Sequence, residues 1–290
     1  MFNIIRYQKK QIAGLSIFYR EAGCRNNPTI VLLHGFPSSS HMFRNLIPLL
    51  SKQFHVIAPD YPGYGNSAMP SPKTYTYSFH ATSLIIEQLV SELGITQFFL
   101  YVQDYGGPIG FRIAVRSPQK ILGLVIQNAV AHEVGLGPPF DVFKSLWKDR
   151  NPQTEEALGY FLTFNFTIRQ YLEGARYPNH ISPDSYSMDQ FFLNRPGNDQ
   201  VQLEYAYDYR KNIEQYPHWQ QYLRQYQPHT LIVWGINDFI FTLAGAYAFQ
   251  KELCNVEINL LCGGHFILEE QSFTVACLIH QFFRKRGVIY

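Results

Sequence analysis

At 290 residues, with 46% hydrophobic and 16% charged side chains, the chain can form one large domain or a domain carrying a sizeable insertion, and it is not disordered. A net charge of +2 without a basic run gives no electrostatic basis for binding nucleic acid or a membrane surface, and no apolar stretch approaches the ~20 residues of a membrane span. The first six residues run into charge, so no secretory leader is expected; Cys24, Cys254, Cys262 and Cys277 lack C-x-x-C spacing and are expected as buried thiols of a reducing, cytoplasmic compartment.

In chain order, residues 11–20 alternate as a strand does, and Thr29–Leu33 is a short continuous apolar run of the kind buried on both faces of a parallel sheet. His34-Gly-Phe-Pro37 breaks it, residues 40–50 follow a helical pattern, and residues 55–58 form the next buried strand. A turn-dense loop from Asp60 to Ser67 and a helix over residues 83–93, stopped by Gly94, lead to a strand over residues 98–102. A helix to about Ser117 and a strand over residues 122–126 follow. From 131 to 227 the buried-strand signal vanishes and helix-like segments rich in Tyr, Gln and Phe take over, with many of the chain's 20 Tyr falling between about 160 and 226. Thr230–Gly235 and Val256–Leu261 restore the strand signal, and residues 273–283 read as a closing helix. The alternation predicts a mostly parallel α/β sheet covered on both faces, built from residues 1–130 and 228–290, with residues 131–227 inserted as a helical cap.

The most informative segment is Phe98-Phe-Leu-Tyr-Val-Gln-Asp104-Tyr-Gly-Gly. A buried strand that ends in a sharp turn and resumes as a helix resembles the G-x-S-x-G elbow that lifts a nucleophile above a sheet edge, with Asp104 in the nucleophile position and small Gly106 after it. No G-x-S-x-G occurs in the chain. A carboxylate with an unperturbed pKa of ~3.9 is ionised at neutral pH without a base. Its attack on an acyl carbon gives a mixed anhydride, whereas attack on an sp³ carbon bearing a leaving group gives an ordinary alkyl ester. Three further loops leave strand ends with polar groups: His34-Gly-Phe-Pro37, Gly235-Ile-Asn-Asp238 and Gly263-Gly-His265-Phe266.

Through HGFP, DYPGYGNS, VQDYGG, WGIND and GGHF, nearly the whole chain resembles the α/β-hydrolase superfamily, in its nucleophile–acid–histidine order as well. It is most similar to the branch with an Asp nucleophile, which contains epoxide hydrolases and haloalkane and haloacid dehalogenases. The resemblance implies the α/β-hydrolase fold with the cap inserted after the sixth strand, and a hydrolase that needs no cofactor. Asp104 is then the nucleophile, His265 the base that activates water in the second step, and Asp238 the group that holds the imidazole; Glu133 is the competing acid. The backbone N–H groups of Phe36 and Tyr105 would form the oxyanion hole, with the Phe36–Pro37 bond cis and His34 shaping the loop.

The leaving group is epoxide oxygen or halide. Tyr205-Ala-Tyr-Asp-Tyr209-Arg210 is similar to the Tyr-Arg motif of epoxide hydrolases, which implies that Tyr209 protonates the opening ring, with Tyr171, or Tyr160 in reserve, as its partner. Dehalogenases of this branch often carry Trp after the nucleophile and Asn in the HGxP loop, where this chain has Tyr105 and Phe36. Tyr105 also departs from the Trp common in epoxide hydrolases, and fluoroacetate dehalogenases share HGFP and a cap Tyr-Arg but usually carry Arg where Tyr105 stands. The balance favours an epoxide. In so Tyr-rich a segment each hydroxyl also has a packing reading. Trp147 and Trp219 line the pocket or pack, Trp234 belongs to a core strand, and Ser67 is a turn residue. The expected substrate is small and apolar, and no G-x-G-x-x-G opens a helix after the first strand to hold a dinucleotide. A non-catalytic receptor that retains the pocket is the reading from another class. No isolated apolar stripe calls for a second copy, so the oligomeric state stays open.

Overall fold

A computed structural model describes residues 4–288, so the leader expectation, which includes residues 1–3, falls partly outside the described residues. The strands are β1 (Arg6–Ile12), β2 (Leu15–Ala22), β3 (Thr29–Leu33), β4 (His55–Pro59), β5 (Phe98–Gln103), β6 (Ile121–Gln127), β7 (Thr230–Gly235) and β8 (Val256–Leu261). They form one sheet in the order β1-β2-β4-β3-β5-β6-β7-β8. Only the pairings of β2, with β1 and with β4, are antiparallel. The single strand expected over residues 11–20 is instead a hairpin, because Ala13 and Gly14 adopt positive φ and reverse the chain.

Strand periodicity sorts the core into two layers. Val31 and Leu33 of β3 point into one, Ile30 and Leu32 into the other. The first layer is covered by α2 (Phe79–Glu92) and α3 (Gly106–Arg116), the second by α1 (Leu46–Leu50) and α11 (Leu268–Lys285). The helix expected over residues 40–50 divides into a 3₁₀ turn, Ser40–Phe43, and α1. α2 begins four residues before expectation because Ser78 caps it, its hydroxyl accepting from the Ala81 N–H, an arrangement worth about 1 kcal/mol.

Between β6 and β7 the chain forms α4 (Phe140–Lys148), α5 (Pro152–Leu158), α6 (Phe164–Leu172), α7 (Pro183–Leu193), α8 (Asn198–Asp208) and α9 (Arg210–Tyr226). A short α10 (Leu243–Ala248) separates β7 from β8. The cysteines correct one expectation: all are free, with Cys24, Cys254 and Cys262 exposed and Cys277 half-buried, because they lie in turns beyond strand ends or on the outer side of α11. Among the described residues no helix is long and apolar enough to cross a membrane.

Candidate active site

The parallel strands are in register at their C-terminal ends, Leu33 opposite Val102, Gln103 opposite Gln127 and Gly235 opposite Leu261, so the loops that follow meet at one edge of the sheet. Asp104 leaves β5 with a φ of 49°, a left-handed conformation that a non-glycine residue holds only when its surroundings impose it. Its N–H donates to the Asn128 carbonyl and its carbonyl accepts from the Gly107 N–H. Residue 106 has to be glycine, since a Cβ there would lie 2.2 Å from the Leu33 carbonyl oxygen. The elbow places the Asp104 carboxylate at the N-terminal end of α3, where the helix dipole favours negative charge.

The Phe36 N–H donates to Asp104 Oδ1 at 2.7 Å, across a Phe36–Pro37 bond that is cis. Burial pushes the Asp104 carboxyl up to about 6, although the His265 charge and the Phe36 and Tyr105 amides pull it down. His265 is fully buried, with Nδ1 2.8 Å from Asp238 Oδ2. Asp238 also accepts from the Ile240 N–H at 2.7 Å and from Asn128 Nδ2 at 2.8 Å. Burial disfavours the His265 imidazolium, but the Asp238 charge and hydrogen bond, with Asp104 beyond, outweigh it and raise its pKa. With the Nδ1 proton directed at Asp238, Nε2 is the basic nitrogen, and it accepts an N–H from Gln103 at 3.0 Å. The arrangement brings together a carboxylate, a backbone N–H beside it and an imidazole oriented by a second carboxylate.

The cavity over Asp104 has a volume of about 20 Å³. Phe36, Asp104 and Tyr105 line it from the sheet edge and Ile240 from the loop after β7; Pro139, Phe140, Phe143, Phe161, Phe166 and Gln170 line it from the inserted helices. A second cavity of about 450 Å³ shares Pro139, Phe161 and Phe166 with it and reaches the exposed Tyr160. The Phe161 and Phe166 rings, 4.5 Å apart, stand in the partition.

Of the expected residues, Asp104, His265, Asp238, Phe36 and Tyr105 come together. Tyr209 is fully buried at the junction of α8 and α9, stacked on Trp147 and 5.8 Å from the Tyr105 ring, with its hydroxyl beside that of Tyr216. It does not line the cavity over Asp104. Tyr171 lies on the other side of the sheet edge, stacked on Phe266 at 3.9 Å and donating its hydroxyl to Asp189 at 2.5 Å. Glu133 is exposed, and Asp238, not Glu133, pairs with His265. Trp147, Trp219 and Trp234 pack outside the cavity; Trp147 Nε1 donates to the Ala206 carbonyl and Trp234 Nε1 to that of Phe241. His34 stacks on Tyr61 and accepts its N–H, and burial lowers its pKa to about 3. Ser67 donates to the Asp60 carbonyl. Sequence reading placed Gln103 at a strand end without a role, and missed Asn128 and Gln170. The first two carried a signal, as polar residues closing buried runs; Gln170 carried none.

The alpha/beta hydrolase fold family matches residues 28–272. An uncharacterized hydrolase of Saccharomyces cerevisiae, YNR064C, is 41% identical over 282 residues, which cover 95% of this chain and 97% of that protein. A haloalkane dehalogenase of Bradyrhizobium diazoefficiens is 34% identical over 126 residues, 43% of this chain and 40% of its own length. Among solved structures, the epoxide hydrolase CorEH superposes with a TM-score of 0.78 at 24% identity, covering 97% of this chain and 99% of its own, a likeness of fold.

Proposed function

We propose a reaction for this chain on one established premise: it belongs to the alpha/beta hydrolase fold family. It is a hydrolase, and the reading that the geometry supports best is opening of a small apolar epoxide to a diol through an ester on Asp104. The observation that carries this reading is a carboxylate held by the Phe36 N–H in an apolar cavity, with the oriented Asp238–His265 pair alongside.

In the first step an Asp104 oxygen attacks an epoxide carbon, the ring C–O bond breaks, and its electron pair stays on oxygen. That oxygen takes the proton of a tyrosine hydroxyl. Tyr209 is the proposed donor, since its hydroxyl feels the Asp104 charge and that of Tyr171 is held by Asp189. Because Tyr209 stands behind the aromatic lining of the cavity, its proton transfer requires that lining to part when substrate enters. In the second step His265 Nε2 takes a proton from water, and the hydroxide formed attacks Cγ of Asp104. The oxyanion develops where the Phe36 and Tyr105 N–H groups already point. Its collapse releases the diol oxygen, which receives the proton from His265, and leaves Asp104 as a carboxylic acid. Asp104 then gives up that proton and the Tyr209 tyrosinate takes one, an exchange through the medium that restores both groups.

Oxygen is favoured over halide because no indole N–H lines the cavity to cradle a halide. The 20 Å³ cavity holds about one water, so substrate enters by parting the phenylalanine partition. Residues 131–227 act as the cap over the core of 1–130 and 228–290. Four free thiols fit a cytoplasmic setting.

Intact-protein mass spectrometry of His265→Gln tests the reading, because loss of the base strands the ester. Exposed to styrene oxide and to 1-bromohexane, the variant gains the full epoxide mass on Asp104. Gain of the hexyl group instead identifies a dehalogenase, and no adduct on Asp104 with either overturns the nucleophile.

A further inference from the structure

Gln170 is 2% exposed on α6, lines the cavity over Asp104, and its Nε2 has no hydrogen-bond partner. Polar groups on the same helices are paired: Thr167 donates to Gln190 Oε1, and Gln190 Nε2 donates to the Leu162 carbonyl and to Asn194. A buried donor left unmade costs the full desolvation of the group, so the Gln170 Nε2 beside the cavity needs a reason. Within the cavity, Asp104 Oδ1 already accepts from Phe36, and the remaining lining beyond Tyr105 is apolar.

We infer that Gln170 is a substrate-binding residue whose Nε2 donates a hydrogen bond to a neutral acceptor oxygen of the ligand. Neutrality follows from the charges. No lysine or arginine lines the cavity over Asp104; Arg169 lines only the outer cavity, where Glu173 pairs with it, so a substrate carboxylate beside Asp104 would have no free counter-ion. The class of substrate is therefore an apolar body carrying an uncharged oxygen, either the epoxide oxygen itself or a second ether or carbonyl oxygen. The inference rests on the proposed reaction only for which of these oxygens is bound.

The first test needs no turnover. Dissociation constants of acetophenone and of its isostere α-methylstyrene, in which C=CH₂ replaces C=O, are measured by calorimetry in the wild-type enzyme and in Gln170→Leu. The preference for the ketone over the olefin is expected to fall ~5- to 100-fold in the variant, the worth of one buried hydrogen bond. An unchanged preference overturns the inference. Removing an unpaired donor should leave Tm unchanged or raise it; should Leu lower Tm, the longer Gln170→Met carries the same comparison. The second test compares kcat/KM on styrene oxide and on phenyl glycidyl ether. Equal loss on both assigns the bond to the epoxide oxygen, loss on the ether alone assigns it to the second oxygen, and no loss on either overturns a role in substrate binding. Failure of Asp104 to form an ester in His265→Gln would remove the reaction and leave the ketone preference standing.

Discussion

Oδ1 of Asp104 sits 2.7 Å from the backbone N–H of Phe36, so the donor proposed for the later oxyanion already holds the carboxylate before any substrate arrives. In the proposed reaction this single amide fixes the direction of attack and, once the ester forms, faces the oxygen on which charge builds. Preorganisation of this kind leaves little to rearrange between the two steps.

The same pair sets a pH dependence. Burial raises Asp104 to about 6, so alkylation, which needs the carboxylate, should rise as pH passes through about 6 and level off above it in kcat/KM. Burial lowers and the carboxylates raise the pKa of His265, Asp104 among them. Esterification removes the Asp104 charge, so His265 should lose its proton more readily in the intermediate, at the stage where it must act as base. NMR titration of His265 should give a lower pKa in Asp104→Asn than in the wild-type enzyme. An equal or higher value would remove Asp104 from the electrostatics of the base.

Asn128 should matter through Asp238. Its side chain spans the ends of β6 and β7, with Nδ2 on Asp238 Oδ2 and Oδ1 accepting the Gly235 N–H at 3.0 Å, while its own φ of 40° suits asparagine or glycine. Asn128→Gly keeps the backbone and deletes these bonds together with a third, from Nδ2 to the Gly235 carbonyl. Hydrolysis of the ester is expected to slow roughly 10- to 100-fold, the worth of a hydrogen bond to a charged group, with alkylation nearly unaffected. Rapid-quench mass spectrometry should then find ester accumulating at steady state; a variant slowed only in alkylation would contradict this.

What the sequence disclosed follows from which interactions are local. The bounds of β3 and β7 were readable residue for residue because continuous apolar runs end at His34 and Gly235, and those of β8 because Val-Glu-Ile-Asn-Leu-Leu261 follows Asn255 and precedes Cys262-Gly-Gly. The β1–β2 hairpin was not, since two residues of turn at Ala13-Gly14 hardly interrupt the alternation. α10 escaped notice because Leu-Ala-Gly-Ala-Tyr-Ala has neither a charged face nor an apolar stripe. Asp104, Asp238 and His265 stood out as polar residues at strand ends, where a parallel sheet gathers them whatever the helices do. Gln170 looks like any polar residue of an amphipathic helix until α6 is packed against the sheet edge. The surroundings of Tyr209 and Tyr171 likewise depend on packing between helices distant in sequence.

Phe161 should act as a gate. It is buried between the inner and outer cavities and contacts Phe143 and Phe166 at ring distances of 5.2 and 4.5 Å. In Phe161→Ala the two cavities merge, so kcat/KM for a naphthyl epoxide should rise relative to that for propylene oxide. The missing ring should cost about 3–5 kcal/mol of stability, seen as a lower Tm. An unchanged size preference in a folded variant would place the entrance elsewhere.

Asp189 gives the fold a stability gradient with pH. Burial is the main cause that lifts its carboxyl to about 7; the bonds from Tyr171 and Ser38 oppose this, and the charge of Glu269 adds to it. From about pH 4 to 7 the folded protein keeps a proton that the unfolded chain has released, so stability from this residue falls as pH rises, by at most ~1.4 kcal/mol per unit, and is flat above 7. Asp189→Asn keeps an oxygen to accept the Tyr171 hydroxyl and removes the ionisation. Denaturant titrations should therefore show the variant gaining stability over the wild-type protein as pH rises from 5 to 8. A difference that stays constant across that range would mean that Asp189 ionises as freely in the fold as in the unfolded chain.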